Sequence, residues 1–301
     1  MDLRRLSIFL EVIDQGSFTA AADVIGCSQP AVSQAIRELE RDLGTPLFHR
    51  IGRQIRLTPA GGALVGPARR LRADVELSRA AVRAVAGLEE GRLDLACLPT
   101  LAAAPLAPLV GRFHQSHPGL LVTLAAPEDT EELLDLVRGG RAEIGIVDDA
   151  PAADLTMLSM GRQDFLVVSP PGSPTDAALT LEDISARSFV APPRGTSSRR
   201  LLDDALASVG VTARVGVEAS QREALLPLIL AGAGTGLLPR PLAEHAALLG
   251  CAVSSLSPPV YRELTLVHRP GPLTPAARAF VRLAHESSSD AARGVTSLSG
   301  A

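Results

Sequence analysis

Apolar residues recur at helical spacing through the first 43 positions. Leu3, Leu6, Phe9, Leu10 and Ile13 fall on one face of a first helix. Ser17 is suited to cap a second helix from Phe18 to about Ile25, which Gly26 and Cys27 turn sharply. Ser28 then caps a third helix that tolerates Pro30 in its first turn and runs to about Leu43, where Gly44 and Pro46 stop it. Val32, Ile36, Leu39 and Leu43 form its core-facing stripe, while Gln29, Ser33 and Arg37 lie four apart on the other side with Gln34 beside them. The runs LFHR and IRLT that follow read as two strands of a hairpin wing, carrying Arg50, Arg53 and Arg56. A helix with a buried stripe and a Gln, Ser and Arg face fits the DNA major groove, and wing arginines fit phosphates or a minor groove. The candidate DNA contacts are Ser28, Gln29, Pro30, Ser33, Gln34, Arg37, Arg50 and Arg53. Taken alone, the pattern fits a helical hairpin with a solvated polar face equally well.

Thr58 and Pro59 open a long helix to about Leu88. Leu64, Ala68, Leu71, Val75, Ser78, Val82 and Val85 alternate steps of four and three, the spacing of a helix that seeks a partner helix. Gly66 and Pro67 interrupt the run and are expected to bend it. From Gly91 the pattern changes to short apolar strands alternating with amphipathic helices. Strands are predicted at 93–98, 121–124, 144–147, 166–168, 189–191, 215–217, 236–238 and 264–267, and helices at 103–116, 130–139, 197–209 and 221–231. That alternation predicts mostly parallel sheets covered by helices on both sides, and its length favours two lobes over one sheet. Residues 287–301, rich in Ser, Gly and Ala, are expected to be disordered.

The 301 residues carry a net charge of −4, and residues 1–58 balance seven arginines against seven carboxylates. DNA affinity must therefore come from placement rather than bulk charge. All 29 basic residues are Arg, which excludes a Walker lysine, a kinase lysine and a Schiff-base lysine together. Cys27, Cys97 and Cys251 are scattered without metal or redox spacing, and no histidine has an evident carboxylate partner. The Gly232–Gly236 run GAGTG follows a helix and precedes a strand, the reverse of a dinucleotide fingerprint. No nucleophile elbow or HExxH motif occurs, so an enzyme is not expected, nor a metal or cofactor. No run of eighteen apolar residues and no signal-peptide pattern appear, and a cytoplasmic protein with no membrane partner is expected.

In open α/β sheets ligands sit at the carboxyl ends of strands, beside helix N-termini. That rule selects Thr100 and Leu101 after the first strand, and the Gly195–Ser198 loop with Thr196 and Ser197. Glu128, Asp148 and Ser220 follow other strands. The hydroxyls and N–H groups of the 195–198 loop form an anion cradle, with Arg194, Arg199 and Arg200 adding charge. A small carboxylate-bearing metabolite is the expected ligand. Simple N-capping by Thr196 and Ser197 explains those two residues equally well. A stand-alone solute-binding protein and a small-molecule enzyme with a helical extension are the competing classes.

The N-terminal motifs resemble the winged helix-turn-helix of LysR-type transcriptional regulators. The likeness rests on AADxxGxSQPAVSxxIxxLE from Ala21 to Glu40, LGxxLFxR from Leu43 to Arg50, and LTPAG from Leu57 to Gly61. It continues in GRLDLACLPTLAAAPLAPLVGRF from Gly91, FHQSHPGLLVTL from Phe113 and LLPLILAGAGTGLLPRPLA from Leu225, covering about residues 2–286. The resemblance implies a winged helix-turn-helix over 1–58 and a linker (dimerisation) helix over 59–90. Beyond them it implies a two-lobed α/β effector-binding domain of the type 2 periplasmic-binding-protein kind. Lobe I then takes 91–161 plus 267–286, and lobe II takes 162–266, with the effector between them against the loops named above. The implied partners are a pseudo-palindromic double-stranded DNA operator, a small-molecule effector, a second copy in a homodimer or a homotetramer, and RNA polymerase if the protein activates. Many members carry Arg where this chain has Gln34, so their base preferences do not transfer.

Overall fold

Three helices and a hairpin open the chain: α1 (Leu3–Gln15), α2 (Phe18–Ile25), α3 (Gln29–Leu43), β1 (Phe48–Ile51) and β2 (Gln54–Leu57). The computed structural model describes residues 2–51, 54–85, 91–127, 129–148, 152–175 and 178–297. Side-chain oxygens of Asp2, Ser17 and Ser28 accept the first free N–H groups of the three helices, and Gly26 ends α2 in the left-handed conformation. Phe9, Leu10, Ala21, Val32, Ile36, Leu39 and Leu47 close a small core between helices and hairpin. Leu43, expected on the α3 stripe, is 38 % exposed because the last turn runs past this core.

Helix α4 (Pro59–Val85) follows, its first turn capped by the Thr58 hydroxyl, which accepts from Gly61 N–H at 3.0 Å. Leu64 and Ala68 pack into the head, but Leu71 and Val82 of the same heptad seam face solvent. Arg69 binds Asp14 at the end of α1 at 2.7 Å and fixes the helix to the head.

The first lobe comprises β3 (Gly91–Cys97), α5 (Pro99–Leu101), a wide helical turn (Ala102–Leu106), α6 (Ala107–Ser116), β4 (Leu120–Ala125), α7 (Thr130–Arg138) and β5 (Ile144–Asp148). Strand β6 (Thr156–Ser169) crosses into the second lobe. There follow β7 (Ala178–Leu179), α8 (Leu181–Ser185), β8 (Phe189–Ala191), α9 (Ser197–Ala207), β9 (Val215–Glu218), a 3-10 turn (Arg222–Ala224) and α10 (Leu225–Leu230). The lobe ends with β10 (Gly236–Pro239), α11 (Arg240–Leu248) and β11 (Ala252–Leu256). Strand β12 (Val260–His268) returns, and α12 (Pro275–Ser297) lays Phe280 against Phe113 of α6.

The strands run in the order β4-β3-β5-β12-β6-β11-β7, with β10 also on β6 and β8-β9 separate. The mostly parallel pairing expected from the element pattern is not what forms. β3 pairs in parallel with β4 and β5, as do β7 with β11 and β8 with β9, but β12 is antiparallel to β5 and β6, and β10 and β11 are antiparallel to β6, so the pairing is mixed. The reason is that β6 and β12 carry the chain between lobes in opposite directions and pair side by side. Their register shifts between Leu264 and Thr265, leaving Met160 unmatched beside Gly161, whose φ of 82° few other residues adopt.

Each lobe has its own core. Leu93, Leu95, Leu101, Phe113, Ile146 and Phe280 belong to the first; Phe165, Ile184, Phe189, Leu202 and Leu206 belong to the second. On β12, Val260 packs in the second core, whereas Leu264 and Leu266 already pack in the first. The return therefore comes a few residues before position 267, where β12 begins to pair with β5. The tail expected to be disordered from 287 is instead helical as far as Ser297. Among the described residues no helix is long and apolar enough to cross a membrane.

Candidate functional site: a reading helix and an inter-lobe cleft

The tight turn after α2 holds α3 with its apolar stripe inward, so its opposite face is available. Ser28, Gln29, Pro30, Gln34 and Arg37 are exposed and Ser33 is half-buried. Gln29 Nε2 donates to Ser33 Oγ at 2.8 Å and Gln34 Nε2 to Glu38 Oε1 at 3.1 Å, bonds that preset both amides without burying them. Glu40 Oε1 accepts from the N–H groups of Leu47 and Phe48 at 2.8 and 3.4 Å, which ties the hairpin to the back of α3. Arg50 lies on β1 opposite Ile55, and Arg56 is exposed on β2. Arg53 lies outside the described residues.

The second site gathers on β12. Arg262 is 6 % exposed, and its side chain spans the two lobes. Nη1 donates to Asp148 Oδ2 at 3.2 Å, Ser197 Oγ at 3.1 Å and Thr100 Oγ1 at 3.1 Å; Nη2 reaches the Thr100 carbonyl at 3.2 Å and Gln163 Oε1 at 2.5 Å. Ser197 Oγ in turn donates to Asp148 Oδ2. The guanidinium also lies 5.1 Å over the Phe165 ring. Burial pulls Arg262 below its ordinary range and Asp148 opposes that shift, as expected for a charge that needs its partner. Beneath them burial pushes the Cys97 thiol up to about 12. Asp148 Oδ1 is buried without a hydrogen-bond partner.

Above this network opens a cleft of about 240 Å³ lined by Leu98, Thr100, Asp129, Thr130, Glu131, Gly195, Ser197, Arg200 and Arg222. A wider concavity, about 1170 Å³, lies elsewhere, between α4 and the first lobe. Its arginines and carboxylates largely pair with one another, as in Arg92–Asp94 and Arg138–Asp154. The smaller cleft joins the carboxyl end of β3 to the α9 N-terminus, which makes it the candidate site.

Thus Thr100, Asp148 and Ser197 come together. Thr196 stands at the start of α9, but its hydroxyl donates to the Pro193 carbonyl at 2.8 Å, so neither it nor Ser197 caps the helix. Several of the expected contributors do not line the cleft, Thr196 and Arg194 among them. Leu101 is wholly buried in the first lobe's core, because α5 turns it inward. Ser220 is exposed, bonds Gln221 at 3.3 Å and does not line the cleft. Arg199 is turned away and buried, bonded to Asp203 at 3.0 Å and Glu218 at 3.4 Å. Glu128 lies outside the described residues. Arg262 and Gln163 are the residues sequence reasoning missed. Their signal was phase: Val260, Arg262 and Leu264 alternate onto one inward face of β12. Among the described residues no cluster of His, Cys, Asp or Glu could hold a metal ion.

The family model for a bacterial regulatory helix-turn-helix protein of the lysR family matches residues 3–62, and that for a LysR substrate binding domain matches residues 86–289. The chain belongs to the LysR family. It is 30 % identical over 299 residues to the transcriptional regulator TfdS of Cupriavidus pinatubonensis, covering 94 % of this chain and 98 % of that protein. It is 29 % identical over 283 residues to CbbR of Rhodospirillum rubrum, covering 93 % and 94 %. Full-length OxyR from Pseudomonas aeruginosa shares the fold with a TM-score of 0.74 at 22 % identity, covering 96 % and 94 % of the two chains. The LysR family regulator CbnR does so with 0.66 at 23 %, covering 96 % and 99 %. As a LysR-type protein the chain is a DNA-binding transcriptional regulator with an effector-binding domain, not an enzyme.

Proposed function

We propose that this LysR-type regulator changes transcription when a small carboxylate-bearing metabolite enters the inter-lobe cleft. The observation that carries the reading is the convergence of Thr100, Asp148 and Ser197 on Arg262 under a helix N-terminus that no side chain caps. A carboxylate placed there meets the free N–H groups of α9 and the nearby Arg200. It would also have to rearrange the Ser197–Asp148 contact, which gives it a differential hold on open and closed lobes.

The output end is α3 with the wing. Gln29, Ser33, Gln34 and Arg37 read base edges, Ser28 and Pro30 set the helix against the backbone, and Arg50 and Arg53 meet phosphates. A CbnR structure holds its target DNA, and this chain matches that structure over 95 % of its length at 23 % identity. The exposed Leu71 and Val82 on the α4 seam support a homodimer, whose two-fold axis would set two reading helices on a pseudo-palindromic operator. Pairing of dimers into a tetramer, and contact with RNA polymerase where the protein activates, complete the reading.

Gel shift and footprinting on flanking genomic DNA test it, with and without a panel of small carboxylates. Sequence-selective binding whose footprint or bend changes with one carboxylate is expected. Binding without sequence preference at moderate salt, or a footprint indifferent to every carboxylate tried, would sink the proposal.

A further inference from the structure

The two walls of the cleft differ in charge. On the first-lobe side stand Asp129 and Glu131, at the start of α7. That helix end is already closed to anions: the Asp129 carboxylate accepts its N–H from Glu132 at 2.8 Å, and Glu131 and Glu132 fill the first turn. On the second-lobe side stand Arg200 and Arg222 with the start of α9, an eleven-residue helix with no side-chain cap and no acidic residue in its first turn. Beneath Ser197, the first residue of α9, lies Asp148, 7 % exposed, with one carboxylate oxygen tied to Arg262 and Ser197 and the other without a partner. A buried carboxylate oxygen left unpaired favours a ligand that brings a hydrogen-bond donor.

We infer that the effector is an α-amino acid, its carboxylate held by the α9 N-terminus and the Arg200 side, and its ammonium held by the acidic wall of Asp129 and Glu131, over the unpartnered Asp148 oxygen in the floor. This rests on the reading of the cleft as the effector site and narrows the ligand class within it. A dicarboxylate would set its second charge against the acidic wall, and a plain monocarboxylate would leave that wall without a counter-charge. An amine without a carboxylate would leave the α9 N–H groups and Arg200 unanswered. Size agrees: at about 240 Å³ the cleft suits a small ligand. Leu98 is the one apolar side chain in the lining, so a small or polar amino acid fits better than an aromatic one.

Titration calorimetry on the full chain tests the inference, using the twenty proteinogenic L-amino acids. The best binder is then compared with its deaminated acid and its decarboxylated amine. At least one amino acid should bind, and each truncated analogue should bind about tenfold or more weakly. Glu131→Gln should weaken the amino acid about threefold and leave the deaminated acid unchanged. A deaminated acid as tight as its amino acid, or equal weakening of both by Glu131→Gln, would overturn the inference while leaving a carboxylate effector in place. If neither the amino acids nor the carboxylate panel binds, or if the amine alone binds as well as the amino acid, the carboxylate reading falls too.

Discussion

On α3 the polar residues face solvent and find partners one turn away, as Gln29 does with Ser33 and Gln34 with Glu38. In the cleft they are buried and find partners across the fold: Arg262 bonds residues 65 to 162 positions distant. The first arrangement separates function from stability, because the apolar stripe of α3 supports the head whatever its outer face carries. The second binds the two together. A change of ligand preference in the cleft disturbs the contacts that join the lobes, whereas a change of base preference on α3 disturbs almost nothing else.

The sharpest way to break that contrast is Arg262→Met. It leaves Asp148 buried without its charge partner, and a loss of about 3 kcal/mol in denaturant unfolding of the full chain is expected. A loss below about 1 kcal/mol would show that the cleft is no more coupled to stability than the reading face. Gln29→Ala or Gln34→Ala should cost about 1–3 kcal/mol of discrimination between bases in competition gel shifts. Both variants should unfold within about 0.5 kcal/mol of the parent. Ser197→Ala removes two bonds, to Asp148 and from Arg262; about 1 kcal/mol of stability and the response to effector should go, with operator affinity retained. Arg53→Ala should weaken DNA binding across all sequences and lower the salt slope by about 1, and a sequence-selective loss would move that wing residue from phosphate to base. The smallest effect is chemical. Cys27 in the head is half-buried, while Cys97 under the cleft stays a protonated thiol at neutral pH. Mass spectrometry after brief alkylation of the native protein should find Cys27 labelled well before Cys97; equal labelling would mean that the cleft floor opens freely.

The same contrast governs what the sequence made legible. The head is specified by neighbours: caps at Ser17 and Ser28, a stop at Gly26, and a stripe at Val32, Ile36 and Leu39 are all local, and each forms as the spacing predicts. Only the end of the stripe misled, since helical spacing does not say where the core beneath Leu43 ends. The effector domain is specified by pairing. Apolar runs located β3, β4, β5, β8, β9 and β10 and the apolar ends of β6 and β12, but no run states the direction of its neighbour, so the antiparallel pairing of β6 with β12 was not visible. The two-residue β7 and the serine-bearing β11 fell below any apolar signal. Arg262 reads locally as a solvent residue beside Tyr261, yet Tyr261 is the one that faces out, at 42 % exposure. Burying a charge requires Asp148, and Asp148 is 114 positions away.

The paired passage of β6 and β12 between the lobes has a mechanical consequence. Two unpaired strands would allow the lobes to swivel, slide or splay as each strand yielded separately. Here the ladder of hydrogen bonds makes one ribbon of them, interrupted at Gly161 and the unmatched Met160. A ribbon bends easily across its face and resists shear in its plane, so relative movement is confined to a single axis through that interruption. On the proposed reading, a ligand in the cleft would deliver its stroke toward α4 and the reading helix in one direction, and ligands would differ only in how far along it they drive the joint.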